Sequence, residues 1–217
     1  MMTTKEPIAV CAVRAADNGA RLLLEIAHGR GSDARRETLC VFAARQAHLP
    51  VRGVITPDTY ADFVREAAIC EAMTLGLRLL AYSGVSQARL REKLRQRGVC
   101  AEAARTAVAL LASEGYLDET ESALAAAKRG LAKLWGDRRI LADLAAKGFA
   151  SEALQAAKEM LASEDSTARC VRLIEKQRMC LPQDDVAAAR FAAVLTRYGY
   201  TSQQMKAALE ILEENEN

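Results

Sequence analysis

Aromatic residues are scarce in this chain. They make up 5% of its 217 residues, although 51% of the residues are hydrophobic. Alanine and leucine supply much of the apolar content. Both are strong helix formers, whereas β sandwiches are rich in aromatic and β-branched residues. The fold is therefore predicted to be mainly α.

Long apolar runs are also missing. No stretch reaches the roughly 18 apolar residues that a membrane-spanning helix needs, and the opening MMTTKEP lacks the apolar core of a secretory signal. The six cysteines are far apart in the sequence, so no pair has the close spacing of zinc ligands. These features predict a cytoplasmic protein with reduced thiols, no metal and no contact with a membrane.

Motifs that indicate catalysis are absent as well. His28 and His48 have no cysteine or carboxylate at ligand spacing. Gly29 and Gly31 are not followed by the further glycine and the lysine of a phosphate-binding loop. No nucleophile elbow or paired-carboxylate motif occurs. The sequence therefore predicts neither an enzyme nor a bound cofactor.

The net charge of +2 is too small to indicate a nucleic-acid partner, but the charge is unevenly distributed. Residues 86–98, called the basic segment below, contain a single acid, Glu92, and five cations: Arg89, Arg91, Lys93, Arg95 and Arg97. In a helix, Arg89, Lys93 and Arg97 lie on one ridge. The other two cations, Arg91 and Arg95, lie on a second ridge. Leu90 and Leu94 form an apolar seam between the ridges.

Two interpretations of the basic segment are open. Its cations could contact DNA phosphates or acidic groups of a protein partner, with counterion release making the binding salt-dependent. Alternatively, the segment is a solvated helix face whose arginine stems cover the core. The density of positive charge favours the first interpretation.

The first 65 residues are predicted to form a small β-containing region. Ile8–Arg14 and Arg21–Ile26 are β-type runs, joined by the turn-forming sequence Ala-Asp-Asn-Gly-Ala. A third segment, Glu37–Ala44, fits either a strand or a short helix. A helical pattern opens at Thr59, and we place the boundary of this region near residue 65.

Beyond that boundary the sequence repeats with a period of about 50 residues, marked by Gly98, Gly148 and Gly199. An apolar residue follows each glycine, and apolar residues precede each one at matching positions. Glycine readily adopts the left-handed conformation that ends a helix, and the apolar residue after it can pack back onto that helix. The period therefore predicts a helix, a turn and a second helix in every copy.

The second helices are expected to cover residues 101–111, 151–161 and 202–212, and a further helix is expected before each pair, over residues 69–82, 119–135 and 168–179. This arrangement predicts three tandem three-helix repeats, over residues 66–117, 118–163 and 164–217. A unit of this kind buries its apolar stripe against its neighbours, so an elongated, curved array is expected.

The ordered motifs of these repeats resemble the RecX family. Ser86, Leu90, Lys93-Leu94 and Gly98 match its first pattern. The remaining matches follow in order: Gly115-Tyr116-Leu117-Asp118, then Gly136, Arg138-Arg139-Ile140, Leu144 and Gly148. The resemblance covers roughly residues 66 to 215, with departures at Arg89, Glu119 and Ser122.

The resemblance implies a regulator that binds the RecA recombinase, lies in the groove of its filament on DNA, and limits its activity in DNA repair and recombination. The residues expected to contact the RecA–DNA filament are the five cations of the basic segment and a second basic group in repeat two: Lys128, Arg129, Arg138 and Arg139. A monomer with weak direct DNA contact is expected. The alternative is a helical-repeat scaffold for another protein or nucleic acid.

Three further residues are predicted to have structural roles. Asp118 should cap a helix N-terminus by accepting a backbone N–H bond. Tyr116 should pack at the turn between repeats. Trp135 should be a core or junction aromatic, because a platform for stacked bases would need a second exposed aromatic nearby.

Overall fold

The computed structural model describes residues 6–216, except 30, 32, 47, 49, 82 and 83. Those residues form four strands: β1 (Ile8–Ala16), β2 (Arg21–His28), β3 (Arg35–Phe42) and β4 (Gly53–Ile55). They also form nine α-helices: α1 (Pro57–Leu80), α2 (Gln87–Arg95), α3 (Ala101–Ser113), α4 (Glu119–Ala132), α5 (Asp137–Ala146), α6 (Ser151–Ala162), α7 (Ser166–Lys176), α8 (Asp185–Tyr198) and α9 (Ser202–Glu216). The prediction of a mainly α fold after a small β region is confirmed.

The strands form one antiparallel sheet in the order β3-β2-β1-β4. A 3-10 turn over Asp17–Gly19 joins β1 to β2, and Asn18 adopts a left-handed φ of 55° there, which asparagine tolerates better than most residues. The ambiguous segment 37–44 is a strand over most of its length, because β3 pairs with β2 along all of β2. Leu24, Ile26 and Val41 are fully buried in the core of this region.

Helix α1 begins 12 residues earlier than the predicted start at residue 69 and spans 24 residues. Thr56 caps it by accepting the N–H of Thr59 at 3.1 Å, and Pro57 fits the first turn because no helical partner is needed for its missing N–H. The helix therefore runs through residue 65. It contributes Phe63 and Ala67 to the core beside the sheet.

The chain divides into two compact units: residues 1–81 with 90–116, and residues 82–89 with 117–217. In each predicted repeat the first helix packs on the third, α1 on α3, α4 on α6 and α7 on α9. Between residues 86 and 212, all of which are described, no strand occurs. The prediction of nine helices without an intervening strand over the repeats is confirmed, and the bounds of the three repeats stay a prediction.

The three periodic glycines end their helices as predicted. Their φ angles are 87° at Gly98, 73° at Gly148 and 95° at Gly199. The next residue donates its N–H to the carbonyl five positions earlier at 3.2–3.3 Å: Val99 to Leu94, Phe149 to Leu144 and Tyr200 to Leu195. Phe149 and Tyr200 are buried in the cores of the second and third repeats.

Candidate partner-binding surface

Ser86 fixes the start of the basic segment. Its hydroxyl accepts the N–H of Arg89 at 3.1 Å, which caps α2, and donates to the carbonyl of Lys147 at 2.5 Å. The residue is 1% exposed. The first turn of α2 is thus attached to the C-terminal end of α5 within the second unit.

The cations of the basic segment project away from its buried seam. Leu90 and Leu94 are both 0% exposed. Lys93 is half-buried, and the remaining four cations are exposed: Arg89, Arg91, Arg95 and Arg97. Internal neutralisation is weak, because the one ion pair that the segment makes with described residues joins Arg95 to Glu92 at 3.7 Å between exposed side chains. The segment presents a concentrated positive surface that can bind anionic groups.

The second basic group is less uniform. Lys128, Arg129 and Arg138 are exposed, on α4 and on the first turn of α5, whereas Arg139 is half-buried. The Arg139 guanidinium donates to the carbonyl of Arg197 at 3.1 Å and lies 4.2 Å from the Trp135 ring centroid. Arg139 therefore already contributes to the contact between α5 and α8.

Two cations lie near the Trp135 ring in the second unit. The Lys133 ammonium is 4.9 Å from the ring centroid, and the Arg139 guanidinium is 4.2 Å from it, so both make cation–π contacts. The ring also packs against the core of the second repeat. This environment confirms the predicted core or junction role of Trp135.

Glycines let the second helix of one repeat approach the turn of the next. The N–H of Gly136, at the start of α5, donates to the Tyr198 carbonyl at 2.8 Å, and a Cβ at Gly136 would lie 2.4 Å from the Gly199 carbonyl. A Cβ at Gly148 would lie 2.9 Å from the Ala88 Cβ at the start of α2. The same contact is thus made twice, about 50 residues apart.

A buried ion pair that the sequence did not predict lies at the contact between α5 and α7. Arg169 is 2% exposed and donates from Nη2 to Asp137. Nearby, the Tyr200 hydroxyl donates to the carbonyl of Leu134 at 2.9 Å. Burial raises the pKa of Tyr200 to about 12, and the charge of Arg169 opposes this shift only in part.

The predictions for Asp118 and Tyr116, which follow α3, differ in their outcome. Asp118 accepts the N–H of Glu121 at 2.8 Å and caps α4, as predicted. The prediction for Tyr116 is wrong, because its side chain is 57% exposed. The neighbouring Leu117 is buried instead, at 5% exposure.

A polar cluster connects the sheet to α1. The Nε2 atom of His28 lies 2.6 Å from Oε1 of Glu37, and the Tyr60 hydroxyl donates to the same oxygen at 2.6 Å. The hydrogen bonds from Tyr60 and His28 lower the pKa of Glu37. The part of the chain that is described contains no group of three histidine, cysteine or acidic residues able to hold a metal ion. None of its helices is both long and apolar enough to cross a bilayer.

The chain is similar in sequence and in fold to known regulatory proteins. No protein-family model matches the chain. The regulatory protein RecX of Pelodictyon phaeoclathratiforme (strain DSM 5477 / BU-1) is 30% identical over 144 residues, which are 65% of this chain and 88% of that protein.

Two solved structures share the fold. A crystal structure of regulatory protein RecX has a TM-score of 0.73 at 15% identity, covering 94% of this chain and 99% of its own. RecX from Lactobacillus salivarius has a TM-score of 0.59 at 15% identity, covering 67% of this chain and 97% of its own. With 88% of a RecX protein aligned at 30% identity, this chain belongs to the RecX family of regulatory proteins.

Proposed function

We propose that this protein is a non-enzymatic regulator that binds the RecA recombinase and its filament on DNA, and inhibits recombinase activity during repair and recombination. Its family membership supports a regulatory role. This function implies a cytoplasmic location, because RecA filaments form on chromosomal DNA in the cytoplasm.

The observation that carries the proposal is the exposed charge of the basic segment. Four of its five cations face solvent on a helix that is fixed by Leu90, Leu94 and the Ser86 cap. A fixed helix loses little backbone freedom on binding, and each phosphate that its cations neutralise releases condensed counterions. An acidic protein surface would be bound through the same charges.

The second basic group is proposed to contact the partner separately through Lys128, Arg129 and Arg138, which are exposed. Arg139 belongs to this basic group but also has a packing role. Its contacts with Trp135 and the Arg197 carbonyl hold α5 against α8, so its removal would disturb packing as well as charge. Variants that test binding should therefore retain Arg139.

The test is the triple variant Arg91→Glu, Arg95→Glu, Arg97→Glu. We expect unchanged helicity and melting temperature, because all three side chains are exposed. Binding to RecA filaments on single-stranded DNA should weaken, and inhibition of ATP hydrolysis by RecA should be lost. Over a salt series, the slope of log affinity should fall by about 0.7 for each phosphate contact removed.

A matched control changes the net charge by the same amount at other exposed positions: Lys158→Glu, Arg190→Glu and Lys206→Glu, on α6, α8 and α9. This variant should retain most of the affinity, because only long-range attraction is reduced and salt screens that attraction. Equal affinity and salt slope in wild type and the basic-segment variant would contradict the proposed site.

The scaffold alternative predicts a different pattern. A scaffold for another partner would not be recovered with RecA and would not alter RecA's ATP hydrolysis at any salt concentration. Binding to single-stranded DNA in the absence of RecA, measured with the same variants, separates direct DNA contact from contact with the recombinase.

A further inference from the structure

Cys40 on β3 and Cys70 on α1 lie side by side in the first unit. Their Sγ atoms are 3.3 Å apart and share a thiol hydrogen bond, although 30 residues separate them in the sequence. Both are free thiols. A disulfide bond is about 2.05 Å long, so the sulfur atoms need to approach by roughly 1 Å to form one. Motions of side chains on this scale require no rearrangement of the fold.

A solvent-open groove leads to this pair. It is lined by both cysteines and by residues that include Arg21, Thr74 and Arg78. Arg21 donates from Nη1 to the Thr74 hydroxyl at 3.2 Å, which holds its guanidinium at the groove.

The two thiols differ in accessibility. Cys40 is half-buried, whereas Cys70 is 1% exposed, and burial raises the pKa of Cys70 to about 12. A small oxidant therefore reaches Cys40 first. Cys70 remains a protonated thiol until a reactive partner forms beside it.

We propose that Cys40 and Cys70 form a modification site for hydrogen peroxide, in which Cys40 is oxidised first and Cys70 then closes an intramolecular disulfide. The Cys40 thiolate attacks one peroxide oxygen, so that an S–O bond forms, the O–O bond breaks and hydroxide leaves, becoming water on protonation. Cys40 is then a sulfenic acid.

In the second step, Cys70 Sγ attacks Cys40 Sγ. The S–S bond forms, the S–O bond breaks, and the leaving hydroxide takes the thiol proton of Cys70 as water. Two thiols lose two electrons in total and one peroxide becomes two waters. The disulfide connects the sheet covalently to α1 and is reversed by a dithiol reductant.

The experiment treats the full-length protein with hydrogen peroxide, alkylates the remaining thiols and maps tryptic peptides. We expect peptide 37–45 linked to peptide 66–78, since cleavage after Arg36, Arg45, Arg65 and Arg78 releases them. The product should be monomeric, and its melting temperature should rise by about 5–10 °C, because the cross-link restricts the unfolded chain. Dithiothreitol should reverse both changes.

Two variants control this result. A triple variant, Cys11→Ser, Cys100→Ser, Cys180→Ser, removes the exposed thiols and should still form the link. Cys40→Ser should form no link and show no rise in melting temperature, while Cys70 is still recovered as a thiol. In wild type, the three exposed thiols serve as an internal standard for complete oxidant exposure.

Two outcomes would overturn the proposal: recovery of Cys40 as sulfinic or sulfonic acid beside a free Cys70, or recovery of both as thiols after the exposed cysteines have been oxidised. Neither measurement uses RecA, so the outcome does not depend on the proposed regulatory function.

Discussion

Gly98 and Gly199 occupy the same place in two repeats and have similar backbones, with φ angles of 87° and 95°. Their surroundings differ. A Cβ at Gly98 would meet no described atom within 4 Å, whereas a Cβ at Gly199 would lie 2.4 Å from the Arg139 Cβ and 2.5 Å from its backbone nitrogen. One sequence signal therefore ends a helix in both places, but only at Gly199 does it also admit a neighbouring helix.

The largest expected effect is that of Gly199→Ala. The substitution combines left-handed strain with a clash against backbone that cannot move aside, so the free energy of unfolding should fall by about 3–5 kcal/mol. Gly98→Ala should cost only the strain, about 1–2 kcal/mol. Urea unfolding of both variants measures the difference. Equal losses would mean that the crowding at Gly199 has no energetic weight.

A second test compares ion pairs in the two units. Asp137→Asn leaves the buried Arg169 charge without its partner, and the free energy of unfolding should fall by about 2–3 kcal/mol. The pair between Arg65 and Asp62 is exposed on both sides, so Asp62→Asn should cost less than about 0.5 kcal/mol. Thermal unfolding at pH 7 measures both, and a similar cost for the two variants would contradict the importance of burial.

A third effect is expected only at alkaline pH. The pKa of Tyr200 is raised to about 12 in the folded state, against about 10 when unfolded. The folded state therefore holds this proton more tightly, so its stabilisation is fully present below pH 10 and is lost as the pH rises through 12. The loss should approach 2–3 kcal/mol, at about 1.4 kcal/mol per pH unit.

Tyr200→Phe isolates this contribution. At pH 7 it should be about 1 kcal/mol less stable than wild type, because the hydrogen bond to the Leu134 carbonyl is lost. Above pH 11 that difference should shrink or reverse, since phenylalanine does not titrate. Parallel pH profiles of the two proteins would show that Tyr200 does not ionise on unfolding.

Much of the fold could be predicted because its signals are local. The glycines at 98, 148 and 199 specify turns, and the starts of α3, α6 and α9 agree with the sequence register. The earlier start of α1 was also signalled locally, by Thr56 and Pro57. The strand β3 was ambiguous because pairing with β2, not its own composition, decides its conformation.

The site was less predictable, because its contacts join residues that are distant in the sequence. Nothing local to Arg169 indicates that it pairs with Asp137, 32 residues earlier. The exposure of the basic segment followed from helical periodicity, since Leu90 and Leu94 mark its buried side. The engagement of Arg139 could not be foreseen, because it depends on the Arg197 carbonyl in the next repeat.

The contact between Gly136 and the turn at Gly199 has an evolutionary consequence. Its hydrogen bond joins main-chain atoms, from the Gly136 N–H to the Tyr198 carbonyl. The contact therefore depends on the absence of a side chain at Gly136 and not on the identity of any other side chain. Mutations elsewhere can then accumulate without breaking it. A junction of this kind accords with a fold that is shared with a solved structure at 15% identity and a TM-score of 0.73.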